Sequence, residues 1–81
     1  MFIQSQDKTT IIPLSNYSLG VYEYDVFASM IVAVANKEKL IMGHYLYPSQ
    51  AFEIMDDIRN NIINNFQGVY EMPKIKMSLF E

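Results

Sequence analysis

Cysteine is missing from this chain of 81 residues, and histidine occurs once. The first absence removes disulfides, thiolate metal sites and a thiol nucleophile together, and makes a reducing compartment the natural setting. Glycine is scarce: Gly20, Gly43 and Gly68 stand far apart, so no glycine-rich phosphate loop exists. Basic residues are few and dispersed, at Lys8, Lys37, Lys39, Arg59, Lys74 and Lys76. Neutralising a phosphate backbone needs them clustered, so direct nucleic-acid binding is not expected. The net charge of −3 is also too small for a convincing nucleic-acid mimic. Long apolar runs are lacking as well. The most apolar stretch, Met30 to Ala35, is far too short to span a bilayer, and the N-terminus lacks the basic start and apolar core of a signal peptide. A cytoplasmic protein with no membrane partner is expected.

What remains is a composition suited to a packed core: 51% hydrophobic, 14% aromatic and 19% charged residues. Such a chain is too apolar and too weakly charged for intrinsic disorder. A chain of this length hides only about 60–65% of its unfolded surface, so the core must be well filled or helped by a partner. No repeat or long linker divides it. One α+β domain is expected over residues 1–73, with a C-terminal tail over 74–81.

The first half reads as strands. Phe2–Gln6 and Thr9–Leu14 flank Asp7-Lys8, which has the character of a tight hairpin turn. Pro13 cannot donate a ladder hydrogen bond, so its strand should lie at an edge or end there. Ser15-Asn16 is turn chemistry. Tyr17–Glu23, Phe27–Ala35 and Leu40–Leu46 then follow through short connections, which predicts an antiparallel meander of about five strands.

From Tyr47 the hydrophobic period changes. Pro48 suits the first turn of a helix and Gln50 a partial capping role. At about 100° per residue, Ala51, Ile54, Met55, Ile58, Ile62 and Phe66 share one side, while Glu53, Asp57, Asn60 and Asn64 share the other. One amphipathic helix packed on one face of the sheet is predicted, with Gly68 as its left-handed C-cap. Val69–Met72 reads as a short strand that Pro73 stops.

The fourth strand is apolar on both faces, with Met30, Val32 and Val34 on one and Ile31, Ala33 and Ala35 on the other. An antiparallel strand with one wet face should alternate more cleanly, so the second face should meet the tail, the second strand or another copy of the chain. Tyr22, Phe27, Ile31 and Tyr45 are the candidate self-association residues, with a homodimer as one outcome.

Candidate chemistry is thin. His44, without cysteine and without an acidic residue at ligand spacing, makes no zinc site unaided, and it has no evident partner as a general base. A small-molecule site or weak hydrolase around His44 and the tyrosines is an alternative. Ser49 and Asp56 would need a triad geometry that sequence does not show. Glu53, Asp56 and Asp57 lie near the helix N-terminus, where the macrodipole favours acids, and Asp56 can pair with Arg59. No cofactor and no metal are expected.

The run Phe2-Ile3-Gln4-Ser5-Gln6-Asp7 with Ile12-Pro13-Leu14, the strand Ile31-Val32-Ala33-Val34, the segment Gly43-His44-Tyr45, the helix Ala51–Ile58 and the finish Val69-Tyr70-Glu71-Met72-Pro73 together resemble a family of small uncharacterised proteins of Gram-positive bacteria and their phages and prophages. The likeness covers about residues 2 to 73. Tyr47-Pro48 departs from it, since that family has Ser or Thr where the helix begins. The resemblance implies a strand-rich sheet with one helix, a mobile-element origin, and no catalytic residues to carry over.

Beyond that span, Lys76-Met77-Ser78-Leu79-Phe80 is similar to the bacterial sliding-clamp-binding peptide Gln-Leu-Ser-Leu-Phe. Leu79 and Phe80 would be the apolar anchors, Met77 would replace Leu, Ser78 would match, and Lys76 departs from Gln. The sequence therefore points to a non-enzymatic protein–protein interaction module with an unknown host or phage partner. The alternative is a modulator of host DNA replication that binds the clamp through its tail.

Overall fold

The computed structural model describes residues 1–25 and 28–74. Along the chain run β1 (Phe2–Gln4), β2 (Ile11–Pro13), a 3-10 turn (Leu14–Asn16), β3 (Ser18–Asp25), β4 (Ala28–Ala35), β5 (Glu38–Tyr45), α1 (Pro48–Ile63) and β6 (Val69–Glu71). The fold is α+β, as expected. Its meander is β3-β4-β5, antiparallel throughout, with Asn36 at a φ of 54° in the turn that joins β4 to β5.

The first hairpin does not extend that meander. It forms a second sheet of order β2-β1-β6, in which β1 is antiparallel to β2 and parallel to β6. Pro13 ends β2 on an edge, and the 3-10 turn then diverts the chain before β3 begins. The flank of β1 that a continuing meander would leave open is taken by β6. Hydrogen bonds from Phe2 N–H to Gly68 O and from Met72 N–H to Gln4 O, each 3.0 Å, lengthen that short ladder at both ends.

The two sheets and the helix share one core of Ile3, Ile12, Ile31, Ala33, Met42, Tyr45, Ala51, Ile58 and Met72. Each large aliphatic side chain buried there contributes about 1.5–3 kcal/mol. The period of two assigns the faces of the meander. Ile31 and Ala33 turn inward with Leu19 and Val21, while Met30, Val32 and Val34 turn outward with Gly20 and Tyr22. A bulge in β5, where Ile31 faces Gly43 but Val32 faces Ile41, inserts the buried Met42.

Helix α1 lays Ala51, Ile54, Met55 and Ile58 against this core. It starts with Pro48 at its first turn, and Gln50 Oε1 reaches back to the Tyr47 N–H at 3.5 Å. Its end differs from expectation. No glycine among the described residues has a positive φ; Asn65, at 57°, is the left-handed residue. Phe66 N–H bonds Asn61 O at 2.9 Å and Asn65 N–H bonds Ile62 O at 3.0 Å, which together make a Schellman stop. Asparagine tolerates this conformation well enough to end the helix three residues before Gly68.

Candidate interaction surface

Sheet edges are where a small β protein is exposed to other chains, because their outward N–H and C=O groups lack partners. Among the described residues the two sheets have four edges, and three of these are blunted at least in part. Strand β2 has three residues and ends in Pro13, and β6 has three residues. The edge of β5 is covered by Gln6 over its second half, from Met42 to His44. The Gln6 N–H bonds Met42 O at 2.7 Å, while its side-chain amide accepts from His44 N–H at 2.9 Å and donates to His44 O at 3.0 Å. The fourth edge is β3, eight residues long, without proline or lysine. Among the described residues, no hydrogen bond joins β3 to any element except β4.

Beside this open edge lies an apolar groove of about 300 Å³ between β3 and the helix, lined by Leu14, Tyr17, Leu19, Met55, Ile58 and Ile62, with Arg59 at its rim. Ile62 belongs to the apolar stripe of the helix yet is 54% exposed. The stripe outruns the sheet, since β3 is the last strand on that side. On the outer face, Tyr22 and Ile41 are 44% and 53% exposed, and Lys39 Nζ stands 5.8 Å from the centre of the Tyr22 ring. Gly20 is two residues from Tyr22 on the same face, and a Cβ there would meet nothing within 4 Å.

Of the four candidate self-association residues, Tyr22 alone is placed at this surface. Ile31 and Tyr45 are 0% and 2% exposed and face the core, so neither can meet a partner. Their aromatic and β-branched character reflects packing under the helix. Phe27 lies outside the described residues, as do Met77, Ser78, Leu79 and Phe80. His44 and Tyr45 are neighbours in sequence but project from opposite faces of β5, so they do not converge on one site. Two of the carboxylates on α1 are likewise engaged separately: Asp56 pairs with Arg59, and Asp57 accepts a 2.7 Å hydrogen bond from the Tyr70 hydroxyl. Among the described residues, no group of three or more His, Asp or Glu is placed to hold a metal ion. No helix of the described residues is long and apolar enough to cross a membrane.

The polar joints that fasten the two sheets together leave no signature in the sequence. Gln6 Nε2 also donates to Pro73 O at 3.1 Å, and the Tyr45 hydroxyl donates to the same oxygen at 2.9 Å. One carbonyl thus ties the end of the second sheet to β5. Burial raises the Tyr45 phenol to about 12, and burial together with the bond to Asp57 pushes Tyr70 upward too. In the first hairpin, Asp7 Oδ1 accepts from Ser5 Oγ and Thr9 Oγ1 at 2.7 Å and from Thr9 N–H at 3.1 Å. The hydroxyl of Ser5, then the hydroxyl and the backbone N–H of Thr9, hold its carboxyl down at about 2. In sequence these side chains look like ordinary turn polarity. The one available signal was the density of hydroxyl and amide residues between two strands.

Comparison with family profiles, with curated proteins and with solved structures finds no significant match.

Proposed function

We propose that this chain is a small protein–protein interaction module, without catalysis of its own, that associates with a second copy of itself. The observation that carries this reading is the flank of the meander where, among the described residues, the edge of β3 pairs with no further strand and adjoins an apolar groove with the half-exposed Ile62 at its end. An unprotected edge beside apolar surface is costly in a monomer and is the common mark of a contact. The resemblance of the sequence to small phage and prophage proteins suggests the setting: a bacterial cytoplasm, with a host or phage protein as the eventual partner. Light scattering after size exclusion tests the reading. A mass above the 9.4 kDa of one chain is expected, falling toward it in Ile62→Asp with little change in thermal midpoint. A single-chain mass at every concentration removes the reading.

A second reading rests on the tail. Ser78-Leu79-Phe80 fits the end of a clamp-binding peptide and would direct the module to host replication. Fluorescence anisotropy of a labelled Lys74–Glu81 peptide should rise with added bacterial sliding clamp. A flat titration into the high micromolar range disposes of it.

A further inference from the structure

We infer that residues 68–73, which carry β6, form a strap that opens and shuts as one unit while the rest of the fold stays closed, and that this strap gates the flank of β1 on which it lies. Strand β6 is three residues long, and among the described residues it pairs with β1 alone. Over residues 67–74 only Met72 is buried; Tyr70 is half-buried, while Val69, Glu71 and Pro73 are exposed. A segment that fully buries one apolar side chain, and is otherwise tied by hydrogen bonds, lies at the low end of local stability.

What the strap leaves behind can stand without it. Apart from Met72 and Tyr70, the core is built from residues that precede the strap. The first hairpin keeps its own hold on β5 through Gln6, whose N–H bonds Met42 O and whose side-chain amide pairs with both backbone groups of His44. The helix stop is closed within itself by the bonds of Asn65 and Phe66, and Gln67 Nε2 is tied back to Asn65 Oδ1 at 2.8 Å. Gly68 is the first residue beyond that stop, and without a side chain it turns readily. The strap itself is fastened at two points. The Tyr70 hydroxyl donates to Asp57 on the helix at 2.7 Å, and Pro73 O accepts from both Gln6 Nε2 and the Tyr45 hydroxyl. Two donors from separate elements converge on one carbonyl, so the departure of Pro73 releases both at once and makes the opening cooperative. Opening uncovers the flank of β1 at Phe2 and Gln4, which are bonded to Gly68 and Met72.

Native-state hydrogen exchange, followed in urea below the unfolding midpoint, tests the strap. The Met72 amide, which bonds Gln4 O, should be protected at least about 100-fold less than the central amides of β4, through an opening that urea scarcely promotes. The amides of Ser5 and Gln6, bonded to Thr10 O and Met42 O, should stay protected. Tyr45→Phe deletes one fastening and should speed Met72 exchange about fivefold, the worth of one hydrogen bond. Val34→Ala, in the meander, should speed the β4 amides and leave Met72 unchanged, whereas a fold that opens only as a whole would move both. Met72 exchanging with the rate and urea dependence of β4, or in step with Ser5 and Gln6, overturns the inference. So does a Met72 rate that Tyr45→Phe leaves alone or that Val34→Ala moves. A Met72 amide with no protection overturns it too, since such a strap is never shut.

Discussion

The side-chain amide of Gln6 pairs with the backbone of His44 in both directions, accepting from its N–H at 2.9 Å and donating to its carbonyl at 3.0 Å. It serves as a one-residue strand that fastens the first hairpin to the rim of the meander. Gln6→Glu keeps the acceptor but turns a carboxylate toward the carbonyls of His44 and Pro73. A loss of about 1–3 kcal/mol is expected, larger than for Gln6→Ala, where water can enter. Urea unfolding midpoints of the two variants check the order.

Gly43 and Tyr45 form a second joint. A Cβ on Gly43 would lie 2.8 Å from the Tyr45 ring, and that ring is buried with its hydroxyl fixed to Pro73 O. The ring cannot swing aside without breaking that bond. Gly43→Ala should therefore destabilise by about 1–3 kcal/mol. In the background of Tyr45→Ala the same change should cost much less, and a thermal-denaturation double-mutant cycle measures the coupling.

Acid sensitivity should centre on Asp7. Its carboxyl sits at about 2 in the fold against an ordinary 3.8, so the folded state favours the charged form. That contribution is complete above the ordinary value and is lost as pH falls from about 4 through about 2. Asp7→Asn should flatten the dependence of stability on pH in this window. Chemical denaturation repeated across the window reads the difference.

Alkaline titration should show late-ionising tyrosines. Tyr45 is raised to about 12 by burial, and Tyr70 is raised by burial and by its bond to Asp57. Both favour the neutral phenol, so their stabilisation is intact below the ordinary 10.0 and fades as pH climbs through the raised values. Tyr45→Phe and Tyr70→Phe should each remove one late step from the phenolate absorbance. Tyr70→Phe should leave the step of Tyr45 in place.

At the end of the helix, Asn65→Gly should be neutral or slightly stabilising, because glycine takes a φ of 57° without steric cost. Asn65→Val should cost about 1–2 kcal/mol, since a β-branched side chain is strained there. Thermal midpoints separate the two.

Much of this architecture could be read from residue order. The periodicity from Ala51 to Ile62 marks the helix, and the apolar run from Met30 to Val34 marks the central strand of the meander, because burial imposes the period directly on the side chains. The split into two sheets was not legible. Whether β1 continues the meander or takes β6 as its neighbour depends on contacts between chain ends, which leave no local pattern. Gly68 was the expected helix stop because glycine tolerates positive φ best, yet Asn65 came first in the chain and sufficed. Sequence alone does not separate Ile31 and Tyr45 from surface residues, because strand periodicity says which residues share a face but not which face meets the helix. Gln6 is not legible either, because a glutamine beside a turn carries no signature of the strand it caps.

The central position of β1 in its sheet has a consequence for biosynthesis. Its two neighbours are made at different times: β2 follows β1 after one short turn, while β6 follows only after the meander and the helix. Ile3 cannot reach its final burial, nor Pro73 receive Gln6 and Tyr45, until the residues through Pro73 have been translated. A nascent chain halted before Val69 would keep a half-paired β1, whereas the β3-β4-β5 meander needs nothing beyond Tyr45 to close its ladders.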